Sequence, residues 1–190
     1  MRIKEKYMHN KYQITENHHL STIELSTLIS RFSKPQLNRN ELMIALLLIT
    51  GARSQELLST RGYDIDHLTK SILIHGRKGS NDRRLPLNDN VYESLKSYIN
   101  GGEKLFSIDT RQLRNIGYGF VQRKKTAKGN ICLHRLRHTF AIETYKKSKD
   151  ILLVKLAMGH KDIKSTMVYT SYVDGIESLS MLRNNICFTI

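Results

Sequence analysis

The sequence predicts an α+β fold, mainly α: a helical domain around a small three-stranded antiparallel sheet. Three observations carry this. Helical periodicity dominates both ends of the chain. A central stretch, residues 63–87, switches to alternating and β-branched patterning. Only two prolines occur in 190 residues, so long helices meet few breaks.

The elements follow in order. Residues 1–20 are polar and carry His9, His18 and His19. They read as an arm or linker, and the irregular histidine spacing marks those residues as incidental. Ser21-Thr22-Ile23-Glu24 is a capping box that opens a helix through about Phe32. Pro35 and Asn38 punctuate. A strongly apolar, buried helix then runs from about Asn40 to Thr50, and Gly51 interrupts it. Tyr63-Asp64-Ile65-Asp66, Ser71-Ile72-Leu73-Ile74-His75 and Arg84-Leu85-Pro86-Leu87 read as three short strands. Between the last two lies a basic hairpin, residues 76–83, rich in turn formers. Asn88 or Asn90 caps the next helix, with Val91, Leu95, Tyr98 and Ile99 on one face. A helix from Thr110 to about Arg123 leads into a basic loop, residues 123–128. Helices are expected over 134–147 and 150–158, the second stopped by Gly159. A short helix around 164–172 and a separate tail helix around 175–184 close the chain. The predicted division is a polar arm at 1–20, one domain at 21–174 and a tail at 175–190.

Composition narrows the partners. Lys and Arg number 31 against 17 Asp and Glu, a formal net charge of +14. That excess favours a polyanion, and nucleic acid suits the phosphate-seeking motifs below. Cys132 and Cys187 are the only cysteines and stand in no CxxC pair, so a reduced, cytoplasmic chain is the default. The longest apolar run, residues 42–49, is too short to span a membrane.

Several residues suggest chemistry. Arg53 and Glu56 are three apart and share a helix face, so Glu56 can orient the guanidinium. His134 and Arg137 are likewise three apart. His134 and His138 have a zinc-compatible spacing, but no glutamate holds the base position and no third ligand is evident. No metal is expected, and His138 reads as a buttress of the fold. His160 follows Gly159, and Tyr169 lies nine residues further on. Arginine matches phosphate oxygens, histidine moves protons near neutral pH, and tyrosine can act as a covalent nucleophile.

Thr50-Gly51-Ala52-Arg53-x-x-Glu56, Gly76-Arg77-Lys78-Gly79 before Leu85-Pro86-Leu87, Leu133-His134-x-Leu136-Arg137-His138-Thr139-Phe140-Ala141 and Met158-Gly159-His160-x-x-Ile163-x-x-Thr166-x-x-Tyr169-Thr170 stand in that order. The ordered set resembles the catalytic domain of the tyrosine recombinases, the phage-integrase family. The resemblance covers roughly residues 21–174. It implies a metal-free and ATP-free DNA cleavage and rejoining enzyme without cofactors. Arg53 and Arg137 would clamp the phosphate, with Glu56 as the acidic companion of Arg53. Lys78 would protonate the departing 5′ oxygen, His134 would pair with Arg137, His160 would steady the phosphate, and Tyr169 would attack. Arg77, Arg83, Arg84, Arg123, Lys124, Lys125 and Lys128 would face the DNA backbone. The family pattern implies a homotetramer on two synapsed DNA sites, with a monomer or dimer when free.

Two departures stand out. The helical core-binding domain that usually precedes this catalytic domain has no counterpart in residues 1–20. The sequence is either a fragment or a short form. Tyr172 is a second candidate nucleophile, although the spacing from His160 favours Tyr169. The apolar tail packs on its own domain or docks in trans on a neighbour. Two rival activities stand beside recombination: a type IB topoisomerase-like enzyme, and a basic nucleic-acid-binding module without catalysis.

Overall fold

The computed structural model describes residues 13–77, 79–126 and 129–185, with backbone alone for 129–131 and 179–185. Helix α1, Thr22–Phe32, opens with the expected capping box: Ser21 Oγ accepts from the Glu24 N–H and Glu24 returns the bond to the Ser21 N–H. Helix α2, Arg39–Thr50, starts on the same device built from Asn38 and Glu41. Its residues 42–47 are all buried, so α2 is the central rod of the main core. It packs on helix α6, Leu133–Ser148, and on helix α4, Asp89–Lys96, which Asn88 caps. Helix α3, Ser54–Ser59, follows α2 at once.

The sheet has the order β1-β2-β3, all antiparallel, from strands Ile65–Asp66, Ser71–Ile74 and Arg83–Pro86. Ile72 pairs with Leu85 and Ile74 with Arg83. Ile72 and Ile74 point into the core, and Leu73 between them is half-buried. A period of two over that segment is what the sequence shows.

Four expectations are corrected. Helix α5, Thr110–Gly117, ends six residues earlier than the expected Arg123. Gly117 lies against Leu133, where a Cβ would stand 2.4 Å from Leu133 Cδ2, and the chain turns there to bury Val121. The basic loop that follows is a two-stranded hairpin, β4 (Lys124–Thr126) paired with β5 (Gly129–Ile131). The last two helices are one, α8, Lys164–Asn185, which passes through Gly175 without a break. Gly in a helix interior costs only about 1 kcal/mol relative to Ala, too little to stop a helix already anchored by Tyr169 and Val173 in a second core cluster. Finally, residues 13–20 are not a free arm. Ile14, His18 and Leu20 are buried, and Glu16–His18 forms a 3₁₀ turn against α6. Helix α7, Ile151–Met158, does end on Gly159 with φ of +69°. Cys132 is buried, with its thiol pKa raised by burial, and Cys187 lies outside the described residues.

Candidate active site

The site begins where α2 stops. Gly51 has φ of +57°, and a Cβ there would sit 2.4 Å from Phe140 Cδ1. Glycine alone meets both demands. The Gly51 carbonyl accepts a hydrogen bond from Arg137 Nη1. The same turn presents Arg53 as the N-cap of α3. Its backbone N–H donates to Glu56 Oε2 and its Nη1 to Glu56 Oε1, both at 2.9 Å. The Arg53 side chain keeps 35% exposure, so part of its donor fork faces solvent.

Glu56 is fully buried and serves more than one guanidinium. Arg83 Nη2 donates to Oε2 at 2.9 Å, and Arg137 Nη1 stands 3.9 Å from the same oxygen. Burial alone raises a carboxyl pKa. Here the bonds from the Arg53 N–H and from Arg83 and Arg53 side chains outweigh it and hold Glu56 at about 2. Its folded pKa is therefore below its unfolded value. The stabilisation is complete above pH 4.5 and disappears as pH falls toward 2, a loss on the order of 3 kcal/mol. Urea melts between pH 7 and pH 2.5 should show that fall, and Glu56→Gln should make the curve shallower. Glu24, which Arg135 holds at about 2, and the lowered carboxyls of Glu41, Asp66 and Asp82 contribute to the slope remaining in the variant.

Arg137 is buried on α6. Nη2 donates to the Met158 carbonyl at 3.0 Å and to His160 Nε2 at 3.1 Å. Burial, then Arg53, lowers its pKa to about 10, so it remains cationic at neutral pH. Because a guanidinium only donates, His160 Nε2 accepts, and Nδ1 donates to Thr166 Oγ1 at 2.9 Å. Burial, then Arg137, lowers His160 to about 4, which keeps the ring neutral. His160 thus orients Arg137 in this state. His134 lies at the solvent edge, its pKa lowered first by the surrounding protein and then by Arg137 and Arg53.

Tyr169, on α8, is 3% exposed. Its ring stacks parallel to His160, centroids 6.5 Å apart, and its hydroxyl meets His138 Nδ1 at 3.0 Å. His138 thus braces the Tyr169 hydroxyl from α6. Tyr172 turns elsewhere, with its hydroxyl 2.7 Å from His19 Nε2.

The base of the β2–β3 hairpin is anchored beside these groups. The Asn81 N–H and Ser80 Oγ both donate to the Gly159 carbonyl, at 2.7 and 3.1 Å. Lys78 lies outside the described residues, as does Lys128. An open cleft of about 630 Å³ is lined by Arg53, Arg77, Arg114, Tyr118, Arg123 and His134, among others. The sequence reading missed Arg114. Its only signal was a place on the polar side of α5, away from the buried Leu113 and Gly117.

The expectation for Arg83 is corrected. It is buried behind Glu56, so its charge supports the site from inside and does not reach a DNA backbone. Arg84 is solvent-accessible but outside the cleft, bonded to Ser71 Oγ at 3.3 Å and 3.9 Å from Asp66. Lys124 and Lys125 lie on β4, and Lys125 is exposed. Among the described residues no cluster of three or more His, Cys, Asp or Glu side chains is arranged to hold a metal ion. No helix of the described residues is long and apolar enough to cross a membrane.

A sequence profile of the phage integrase family matches residues 18–174. This chain belongs to that family. Tyrosine recombinase XerC of Bacillus subtilis is 32% identical over 174 residues, covering 82% of this chain and 55% of the relative. Tyrosine recombinase XerA of Saccharolobus solfataricus is 35% identical over 153 residues, covering 77% and 48%. The chain thus spans about half the length of the curated relatives it matches. Among solved structures, XerH recombinase in a post-cleavage complex with its palindromic difH substrate superposes with a TM-score of 0.68 at 25% identity, covering 90% of this chain and 54% of that one. The integrase-family fold is thereby shown.

Proposed function

We propose that this chain is the catalytic domain of a site-specific DNA recombinase that cleaves and rejoins DNA through a 3′-phosphotyrosyl intermediate. One observation carries the reading. Arg53, Arg137, His160 and Tyr169 come from four separate segments, yet a continuous set of bonds through Gly51 and Glu56, with the stacking of Tyr169 on His160, joins them.

The chemistry follows from those groups. A phenol has a pKa near about 10, and neighbouring cations favour its phenolate. The Tyr169 oxygen attacks phosphorus, the bond from phosphorus to the 5′ oxygen breaks, and that oxygen takes a proton. The phenol gives up one proton and the leaving oxygen gains one. Charge builds on the nonbridging oxygens, where the preset guanidiniums of Arg53 and Arg137 stabilise it most. The bond energy stays in the protein–DNA link, so rejoining by the reverse attack needs no ATP. The basic cleft supports duplex DNA as the partner. Exposed Leu152, Leu153 and Leu156 on α7 support an interface between protomers; four protomers on two DNA sites is what the family resemblance implies.

A pool of nicked duplexes with randomised sequence tests this. In excess EDTA, the protein should form an adduct that survives denaturant and carries protein on the 3′ end at the nick. An adduct on the 5′ end, or one that needs added divalent metal, would sink the proposal. Relaxation of supercoiled plasmid lacking any enriched site would favour the topoisomerase reading instead.

A further inference from the structure

Residues 13–20 touch the surroundings of Tyr169 at three separate points. Ile14 is buried in the small cluster that contains Tyr169 and Val173, together with Ala141, Ile142, Tyr145, Val154 and Met158. His18 is buried and stands edge-on to His138, centroids 5.8 Å apart at 85°. His138 in turn meets the Tyr169 hydroxyl. His19 reaches α8 directly, with Nε2 2.7 Å from the Tyr172 hydroxyl, one turn beyond Tyr169.

The segment is itself pinned. The Leu20 N–H donates to Thr139 Oγ1 at 2.8 Å, and Arg135 donates twice to the His19 carbonyl, at 2.7 and 3.2 Å. Asn17 Nδ2 donates to the Lys125 carbonyl at 3.2 Å, which ties the segment to β4. The chemistry of His19 is also settled. Its Nδ1 lies 2.8 Å from the Leu20 carbonyl, which can only accept. In the neutral ring Nδ1 therefore carries the proton and Nε2 accepts from Tyr172. Burial lowers the pKa of His19, in keeping with that neutral form.

We infer that residues 13–20 are a positioning element for the nucleophile: Ile14, His18 and His19 hold α8 against α6 and so set where the Tyr169 phenol sits. The inference rests on the reading of Tyr169 as the nucleophile. It extends that reading to a segment whose first half, including Ile14, lies ahead of the profile match at residue 18. A phenol displaced by about 1 Å loses on the order of a hundredfold in rate. His19 acts at one remove, through Tyr172 one turn along α8 from Tyr169, so its loss should cost less, about tenfold.

The test uses the full chain with tyrosine ¹³C-labelled at Cζ, the Tyr169 line being assigned by its loss in Tyr169→Phe. His19→Ala and Tyr172→Phe break the same hydrogen bond from opposite ends. Each should move the Tyr169 line, and the double variant should move it no further. On the nicked pool, the saturated single-turnover rate of adduct formation should fall about tenfold in each, at an unchanged half-saturating concentration. His19→Gln, which restores an acceptor, should recover most of the rate. A Tyr169 line that stays in place, shifts that add in the double variant, or a rate that holds or rises overturns the inference. The NMR cycle needs no DNA. If Tyr169→Phe still forms an adduct, the nucleophile reading falls while the resonance data still decide the clamp.

Discussion

Tyr169→Phe should abolish the covalent adduct on the nicked pool while leaving DNA binding intact. The substitution removes one oxygen from a buried ring that keeps its stacking on His160. Without that oxygen there is nothing to join to phosphorus, so the loss should reach the detection limit. Tyr172→Phe should behave differently. Its hydroxyl is bonded to His19 and belongs to the positioning element, so its variant should slow the reaction without stopping it. Denaturing gels of the two variants beside wild type make the comparison. An adduct surviving in Tyr169→Phe but lost in Tyr172→Phe would reverse the assignment.

Arg137→Ala should suppress cleavage by a factor of about 10² to 10³, the cost of removing a preset donor from developing charge. It should also weaken the fold, because the Gly51 and Met158 carbonyls lose their buried donor. Arg137→Lys separates the effects. It keeps a cation, yet one ammonium cannot reach Gly51, Met158 and His160 in the same geometry. Its folding should therefore recover more than its rate. Lys78→Ala should fail for another reason, the want of a proton for the 5′ oxygen. A bridging 5′-phosphorothiolate leaves as a stable thiolate and needs little protonation. That substrate should rescue Lys78→Ala far more than Arg137→Ala. Equal rescue of both, or of neither, removes the acid role assigned to Lys78.

Much was legible in the chain because its signals are local. The capping box at Ser21, the glycine stops at Gly51 and Gly159, and the period-two run at 71–74 each act within a few residues. The ordered motifs, read through a resemblance, also singled out Arg53, Glu56, Arg137, His160 and Tyr169, which the fold brings together. The family itself was likewise legible there.

What sequence alone could not settle depends on approach between distant segments. The side to which a charged residue turns is one such matter. Arg83 sits among basic turn residues and reads as a DNA contact, but β3 carries it inward onto Glu56. Helix length is another. Gly117 ends α5 against Leu133, whereas Gly175 has no neighbour to make it a break. The histidines of residues 13–20 look incidental in a polar stretch. Only the packing of that stretch across α6 and α8 sets His18 against His138 and His19 on Tyr172. By itself the sequence determined the local elements and the kinds of residue available for phosphate chemistry. The tertiary structure decided which charges are buried, which face the cleft and what holds Tyr169. Burial and hydrogen-bond pairing arise between segments distant in sequence, 27 residues apart for Arg83 and Glu56 and 153 for His19 and Tyr172, and no local pattern encodes them.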